Sequence, residues 1–334
     1  MMMVVSLFQL RLPPPPPICC YSSPAPNERR YHSTVAAAAH KRSIKHVKAL
    51  LHSGEADSSH NNNTKPDEED EEFQVLTAVQ TTYNKIVIID TPKSTLLLLD
   101  STHNVHSMLN KSISKWTGSY WDEFATLPPV VPPGPMAIFG LGGGTAAHLM
   151  LHLWPSLQLE GWEIDGILID KSRDYLGLCD LEKHTTDGGV LNIHIGDVFS
   201  PRAAISGGYA AIIVDLFAEG KVLPQLEQAA TWLELNDKLM PNGRFMVNCG
   251  AGEEGSTAMI SQNDDSSMDD TWRLNATIRA LCEAFPGQVN WKKMAKSAGE
   301  NYMALTGPLP DLSTWSAALP NELNSGVNQW RACN

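Results

Sequence analysis

Between residues 136 and 165 the chain reads Met136-Ala137-Ile138-Phe139, then Gly140-Leu141-Gly142-Gly143-Gly144, then an apolar stretch opening at Thr145, then Gly161-Trp162-Glu163-Ile164-Asp165. A short apolar run, a glycine cluster, a helical segment and a second strand ending in a carboxylate restrict the fold to a doubly wound α/β sheet. Glycines without a Cβ let the backbone turn sharply and come close to a ligand. Thr145 opens a helix whose free N–H groups can face polar ligand atoms. Glu163 stands roughly twenty residues beyond the loop, where such folds hold ribose hydroxyls. Gly140, Gly142, Gly143, Gly144 and Glu163 are therefore the expected contacts of a nucleoside-type ligand.

With 334 residues, 43 % hydrophobic and 19 % charged, the chain has room for one main domain and a smaller module. The formal net charge of −12 disfavours nonspecific nucleic-acid binding, and no basic stripe interleaved with aromatics is present. Residues 1–52 are rich in Arg, Lys, Ser, Ala and Pro, with Glu28 as their one acid. That composition reads as an organellar transit peptide, plastid in preference to mitochondrion. A secretory signal fits less well, because no charged region opens the chain. Met3–Leu10 is too short to span a bilayer, so no membrane segment is expected. The acidic run Asp67–Glu72 marks a solvated linker over residues 53–72. The six cysteines form no CxxC pair, which points to buried free thiols rather than a zinc site or disulfide framework. His148 and His152 lack the intervening Glu of a zinc helix, and no metal is expected.

Residues 73–127 read as a small β module, with strand-like runs at Phe73–Val79, Lys85–Asp90 and Thr95–Asp100. A polar helix is expected over Met108–Leu127. Prolines between 128 and 135 lead into the main α/β domain, residues 128–310. Its strands are expected at Met136–Phe139, Leu159–Ile164, Leu191–Ile195, Ala210–Val214 and Arg244–Asn248. Helices are expected at Thr145–Leu153, Ile169–Leu178, Gln225–Leu239 and Thr271–Ala284. Gln288–Met294 and Asn301–Thr306 are joined too closely for a crossover helix, so they pair antiparallel. The Gly250–Asp270 stretch reads as a mobile loop and a candidate lid. Residues 311–334 form a tail that packs on the domain or joins a partner surface.

Three acids stand at successive strand ends: Glu163, Asp197 and Asp215. In an open α/β sheet the ligand crevice lies at those ends. Asp197 is placed to accept from an exocyclic adenine amine, and Asp215 faces the position where transfer chemistry would take place. A nicotinamide dinucleotide remains a rival ligand, although Thr145 stands where its third glycine is expected. No phosphate-binding P-loop is present.

The chain resembles the spermidine synthase branch of the class I methyltransferase-like superfamily over about residues 73–307. The matching residues are Gly140–Gly144, Glu163-Ile164-Asp165, His194-Ile195-Gly196-Asp197, Tyr209–Asp215 and Leu239–Val247. Leu98-Leu99-Asp100 and Ser119-Tyr120 through Leu127-Pro128 echo the family's N-terminal motifs. The resemblance implies an adenosyl ligand, S-adenosylmethionine or its decarboxylated form, and a small-molecule acceptor. It implies Asp215 as the base or amine-orienting residue, and it leaves a homodimer open. The departures fall on the acids that hold cationic groups. Thr145 follows the glycine loop where aminopropyltransferases carry Asp, Trp121 replaces a His, and Ala218 replaces a second Asp. Tyr120, Asp122 and Glu219 are the remaining candidates for acceptor contacts.

Retained nucleoside acids with thinned amine-binding acids lead to an expected S-adenosylmethionine-binding transferase that methylates a small substrate. Aminopropyl transfer in polyamine synthesis and a catalytically silent adenosyl-ligand-binding protein are the alternatives.

Overall fold

The computed structural model describes residues 73–102, 104–112, 115–251, 268–295 and 298–333. The expected transit segment and acidic linker lie outside the described residues, as does most of the loop expected as a lid.

The N-terminal module is an antiparallel sheet of β1 (Gln74–Gln80), β2 (Lys85–Asp90), β3 (Ser94–Leu98) and β4 (Ser107–Asn110), in that order. Alternation along β2 decides its faces. Ile86 and Ile88 pack with Leu97, Leu168 and Leu176, while Val87 and Ile89 pack with Leu98 on the opposite face. The polar helix expected over Met108–Leu127 is replaced by β4 and a helix of five residues, α1 (Tyr120–Phe124). Two local features override the helical pattern. Met108 pairs with Leu96 in the β-ladder, and Gly118 takes a left-handed φ of 67° just before α1.

The main sheet has eight strands in the order β14-β12-β13-β11-β8-β5-β6-β7. Its parallel part comprises β5 (Met136–Phe139), β6 (Gln158–Glu163), β7 (Val190–Ile195), β8 (Tyr209–Val214) and β11 (Leu239–Asn248). β12 (Val289–Lys293) and β13 (Tyr302–Thr306) close the sheet as the expected antiparallel pair. Every residue of β5 and β8 is buried, as a strand covered on both faces requires. Met136, Ile138, Ala211 and Ile213 face one hydrophobic layer; Ala137, Phe139, Ile212 and Val214 face the other.

The helices α2 (Thr145–Leu153), α3 (Gly166–Tyr175), α4 (Leu178–Leu181), α5 (Ala229–Asn236) and α6 (Ala276–Ala284) connect these strands. The expected long helices are shorter, and each yields a 3-10 segment at its start: Pro224–Glu227 before α5 and Met268–Leu274 before α6. Asn275 then caps α6 by accepting from the Ile278 N–H at 3.0 Å.

A short hairpin of β9 (Phe217–Ala218) and β10 (Lys221–Val222) follows Asp215 and was not expected. Its turn residues Glu219 and Gly220 both have positive φ, 49° and 72°, which suits the twist of a two-residue hairpin. The C-terminal segment carries α7 (Leu312–Ala317), α8 (Asn321–Asn324) and β14 (Arg331–Ala332), which pairs with β12. Trp315 and Trp330 are buried in the core of the main domain. Cys249, Cys282 and Cys333 are free thiols, Cys249 buried and the other two half-buried. Among the described residues no helix is long and apolar enough to cross a membrane, and no group of side chains could hold a metal ion.

Candidate active site

The strand order β8-β5-β6-β7 puts Asp215, Gly140, Glu163 and Asp197 at or just beyond the carboxyl ends of four neighbouring strands. The chain reverses direction across the sheet beside β5, so this edge is the topological switch point. Ladder hydrogen bonds hold the positions. The Asp215 N–H donates to the Phe139 carbonyl at 2.9 Å, and the Gly140 N–H donates to the Trp162 carbonyl at 3.0 Å.

The glycine loop is tight for reasons internal to the protein. A Cβ on Gly140, where φ is 85°, would lie 2.3 Å from the Asp215 carbonyl oxygen. One on Gly143 would meet Leu176 at 2.6 Å and Ser107 at 2.8 Å. The loop's donors are also engaged: Gly142 N–H donates to Glu163 Oε2 at 3.0 Å, and Gly143 N–H to Ser107 Oγ at 2.8 Å. At the start of α2 the Thr145 hydroxyl accepts from Met108 N–H at 2.7 Å and donates to the Met108 carbonyl at 3.0 Å. β4 thus lies across the loop and the first turn of the helix. The glycines, read from sequence as room for a ligand, are equally room for β4, β8 and α4.

Glu163 is buried with its carboxylate at the loop. Oε1 accepts from the N–H groups of Ile164 and Asp165 at 2.9 and 3.2 Å, beside the Gly142 bond on Oε2. Burial pushes its carboxyl above the ordinary value, against the pull of those three donors. The adjoining Ile164 is 40 % exposed, an apolar surface beside the carboxylate. Asp197 is exposed beyond β7, with Oδ1 accepting from Phe199 N–H at 2.9 Å.

Asp165, the last residue of the Glu163-Ile164-Asp165 motif, was given no site role from sequence. It caps α3 by accepting from Ile167 and Leu168 N–H, and its other oxygen accepts from Thr81 Oγ1 at 2.6 Å and Asn84 Nδ2 at 2.8 Å. That acid ties the β1–β2 turn of the N-terminal module to the main domain. An Asp directly before a helical segment is the sequence signal for that capping role.

Asp215 is the centre of the site. Its Oδ2 accepts from the Tyr120 hydroxyl at 3.1 Å and its Oδ1 from Asn248 Nδ2 at 2.9 Å. Asn248 Oδ1 accepts in turn from Asn301 Nδ2 at 2.9 Å and Gly250 N–H at 3.1 Å, which fixes the orientation of its amide. Burial pushes the Asp215 carboxyl up to about 6, partly offset by hydrogen bonds from Asn248, Tyr120 and Trp121. Burial and the neighbouring carboxylate push the Tyr120 hydroxyl well above its ordinary value, so it stays a proton donor.

Tyr120 therefore meets Asp215, but the other two acceptor candidates are engaged elsewhere. Asp122 accepts from Thr117 N–H at 2.9 Å, Thr117 Oγ1 at 2.7 Å and Gly118 N–H at 2.8 Å, and so caps its own loop. Glu219 sits exposed in the β9–β10 turn and accepts from Ser101 Oγ at 3.0 Å. Two surface concavities of about 380 and 350 Å³ lie beside Tyr83 and Ile167 and beside Phe199 and Lys238; Asp215 lines neither.

The chain matches no protein-family model. A curated relative, "Probable polyamine aminopropyl transferase" of Bifidobacterium longum, is 23 % identical over 219 residues, which covers 65 % of this chain and 46 % of the relative. The chain thus spans about half the length of that relative. Spermidine synthase of Thermotoga maritima superposes with a TM-score of 0.50 at 18 % identity, covering 70 % of this chain and 72 % of its own. A probable spermidine synthase of Corynebacterium glutamicum superposes at 0.54 and 15 % identity, covering 78 % and 91 %. The fold is spermidine synthase-like.

Proposed function

We propose that this chain is a transferase that moves the aminopropyl group of decarboxylated S-adenosylmethionine onto a small amine. The observation that carries the reading is the Asp215 centre: one carboxylate at a strand end, gripped by Tyr120 and Asn248 and titrating near 6. A carboxyl tuned to that range is ionised at neutral pH yet basic enough to take a proton from an attacking amine. The similarity to an aminopropyl transferase supports this reading over methylation, the principal expectation from sequence.

Glu163 and Asp197 are the residues suited to a nucleoside: one carboxylate beside the glycine loop, one exposed at the next strand end with Oδ1 held by Phe199 N–H. The exposed side chain of Ile164, next to Glu163 in the chain, offers an apolar surface for a base. The donor supplies an electrophilic carbon beside a sulfonium, and its leaving group is a neutral thioether. Asp215 orients the acceptor nitrogen and receives its proton as the new C–N bond forms. Tyr120 and Asn248 hold the carboxylate in place during that transfer.

One observation favours the second reading, methyl transfer from S-adenosylmethionine itself. No acid follows the glycine loop, and the Thr145 hydroxyl that stands there is committed to Met108. A cationic donor tail meets no carboxylate from that position. Incubation with each donor and a panel of amines separates the readings by product. Methylthioadenosine from the decarboxylated donor supports aminopropyl transfer, and S-adenosylhomocysteine supports methylation. Asp215→Asn is expected to lower the productive reaction about 10²-fold or more. Calorimetric binding of either donor with no turnover would leave the silent binding protein.

A further inference from the structure

The cluster around Glu123 lies one helical turn from Tyr120 and takes no part in the chemistry above. Glu123 and Lys292 form an ion pair of 2.6 Å with side chains only 6 % and 3 % exposed. The Lys292 ammonium also donates to the Gly326 carbonyl at 2.9 Å and lies 5.9 Å from the centre of the Trp330 ring. The free oxygen of Glu123 accepts from Trp330 Nε1 at 3.0 Å. Both charges are therefore paired and hydrogen-bonded, as deep burial demands.

The groups come from three places: α1, β12 and the C-terminal segment. A second indole repeats the connection, since Trp315 Nε1 donates to the Thr126 carbonyl at 2.7 Å. Thr126 Oγ1 then donates back to the Glu123 carbonyl at 2.7 Å. A helix of five residues has too few internal hydrogen bonds to hold its own direction. Its direction is set by what grips it, and Tyr120, three residues before Glu123, inherits that direction.

We propose that the buried Glu123–Lys292–Trp330 cluster is a positioning device for the reaction centre: it fixes α1, and through α1 it holds the Tyr120 hydroxyl on Asp215. The C-terminal segment is thereby part of the machinery of the site without touching it. The kinetic side of this inference rests on Asp215 acting as proposed above; the structural side does not.

The test uses the full chain and reads the Asp215 carboxyl directly by carbon-13 NMR titration, assigned with Asp215→Asn. The groups facing that carboxyl are Tyr120 and Trp121 on α1 and Asn248 on β11, with Asn301 behind it. Trp330→Phe keeps an aromatic ring, at the cost of some buried volume, and deletes the donor to Glu123. It is expected to raise the titration midpoint by about half a unit to one unit, as Tyr120 loosens. Tyr120→Phe is expected to give a shift of the same sign, and the double variant to shift no further than Tyr120→Phe alone. Ile278→Val, in the core on the other face of the sheet, is expected to lower the melting temperature and leave the midpoint in place.

A lower melting temperature in Trp330→Phe with an unmoved midpoint, or additive shifts in the double variant, would overturn the proposal. If Trp330→Phe does not fold, Glu123→Gln is read by the same criteria. Absence of turnover with every donor and amine would sink the functional reading while the titration still decides this one.

Discussion

The hydroxyl of Tyr120 donates to Oδ2 of Asp215 across 3.1 Å, joining a loop-borne helix to the end of β8. That hydrogen bond favours the ionised carboxylate, while burial favours the neutral acid, and burial prevails with a titration at about 6. Deleting the hydroxyl removes one of the opposing donors. In Tyr120→Phe the acid limb of the pH–rate profile is expected to move upward by about half a unit to one unit. Measuring log kcat/KM between pH 5 and 8 in both proteins checks this, and an unmoved limb would mean that Tyr120 does not tune the base.

The same carboxyl makes stability depend on pH in a defined direction. Its folded value of about 6 lies above the ordinary 3.8, so the folded chain binds this proton more tightly than the unfolded chain. The stabilisation is fully present below about 3.8 and is lost as pH rises through 6. Asp215→Asn removes the charge that must otherwise be held in a partly dry site. The variant is expected to be more stable than the parent at pH 7.5, by on the order of 2 kcal/mol, with the gain vanishing below pH 4. Urea unfolding at the two pH values reads the difference. A gain of equal size at both would assign the effect to packing rather than to the charge.

Sequence carried the sheet and its strand-end acids because both are local. A continuous apolar run followed by a turn residue marks a buried parallel strand, so Glu163, Asp197 and Asp215 were locatable one strand at a time. What it could not carry are pairings over long separations. β4 reads as a polar helix because its strand character comes from β3 and from the Thr145 hydroxyl, 37 residues away. Glu123 and Lys292 are 169 residues apart and carry no mark of their meeting. Asp122 and Glu219 had the right charge for an amine, yet nearby backbone and hydroxyl donors hold them. Charge type is legible in a sequence; whether a carboxylate is already occupied is not.

Glu163 separates a ligand role from a structural one if the substitution is chosen with care. Alanine would orphan the Gly142, Ile164 and Asp165 N–H groups that now share its oxygens. Glu163→Gln keeps one acceptor and removes the charge. It is expected to weaken nucleoside binding by about tenfold or more, with a smaller effect on melting temperature, because charged acceptors make the stronger hydrogen bonds. Calorimetric titration with methylthioadenosine measures it. Undiminished affinity would remove Glu163 from the ribose site and leave it as the brace of the glycine loop.

The Thr145 hydroxyl exchanges two hydrogen bonds with the backbone of one residue, Met108, and so seals β4 over the start of α2. Valine has the same shape and neither hydrogen bond. Thr145→Val leaves a strand N–H and a carbonyl without this partner in a partly buried seam, a loss of about 1–3 kcal/mol. The cost should fall locally: faster amide exchange at Met108 and at Gly143, whose N–H depends on the neighbouring Ser107 hydroxyl. Amides in β8 and β11, in the centre of the sheet, should keep their protection. Uniformly faster exchange across both groups would mean that the seam reports global stability, and that β4 is not a separate cover over the glycine loop.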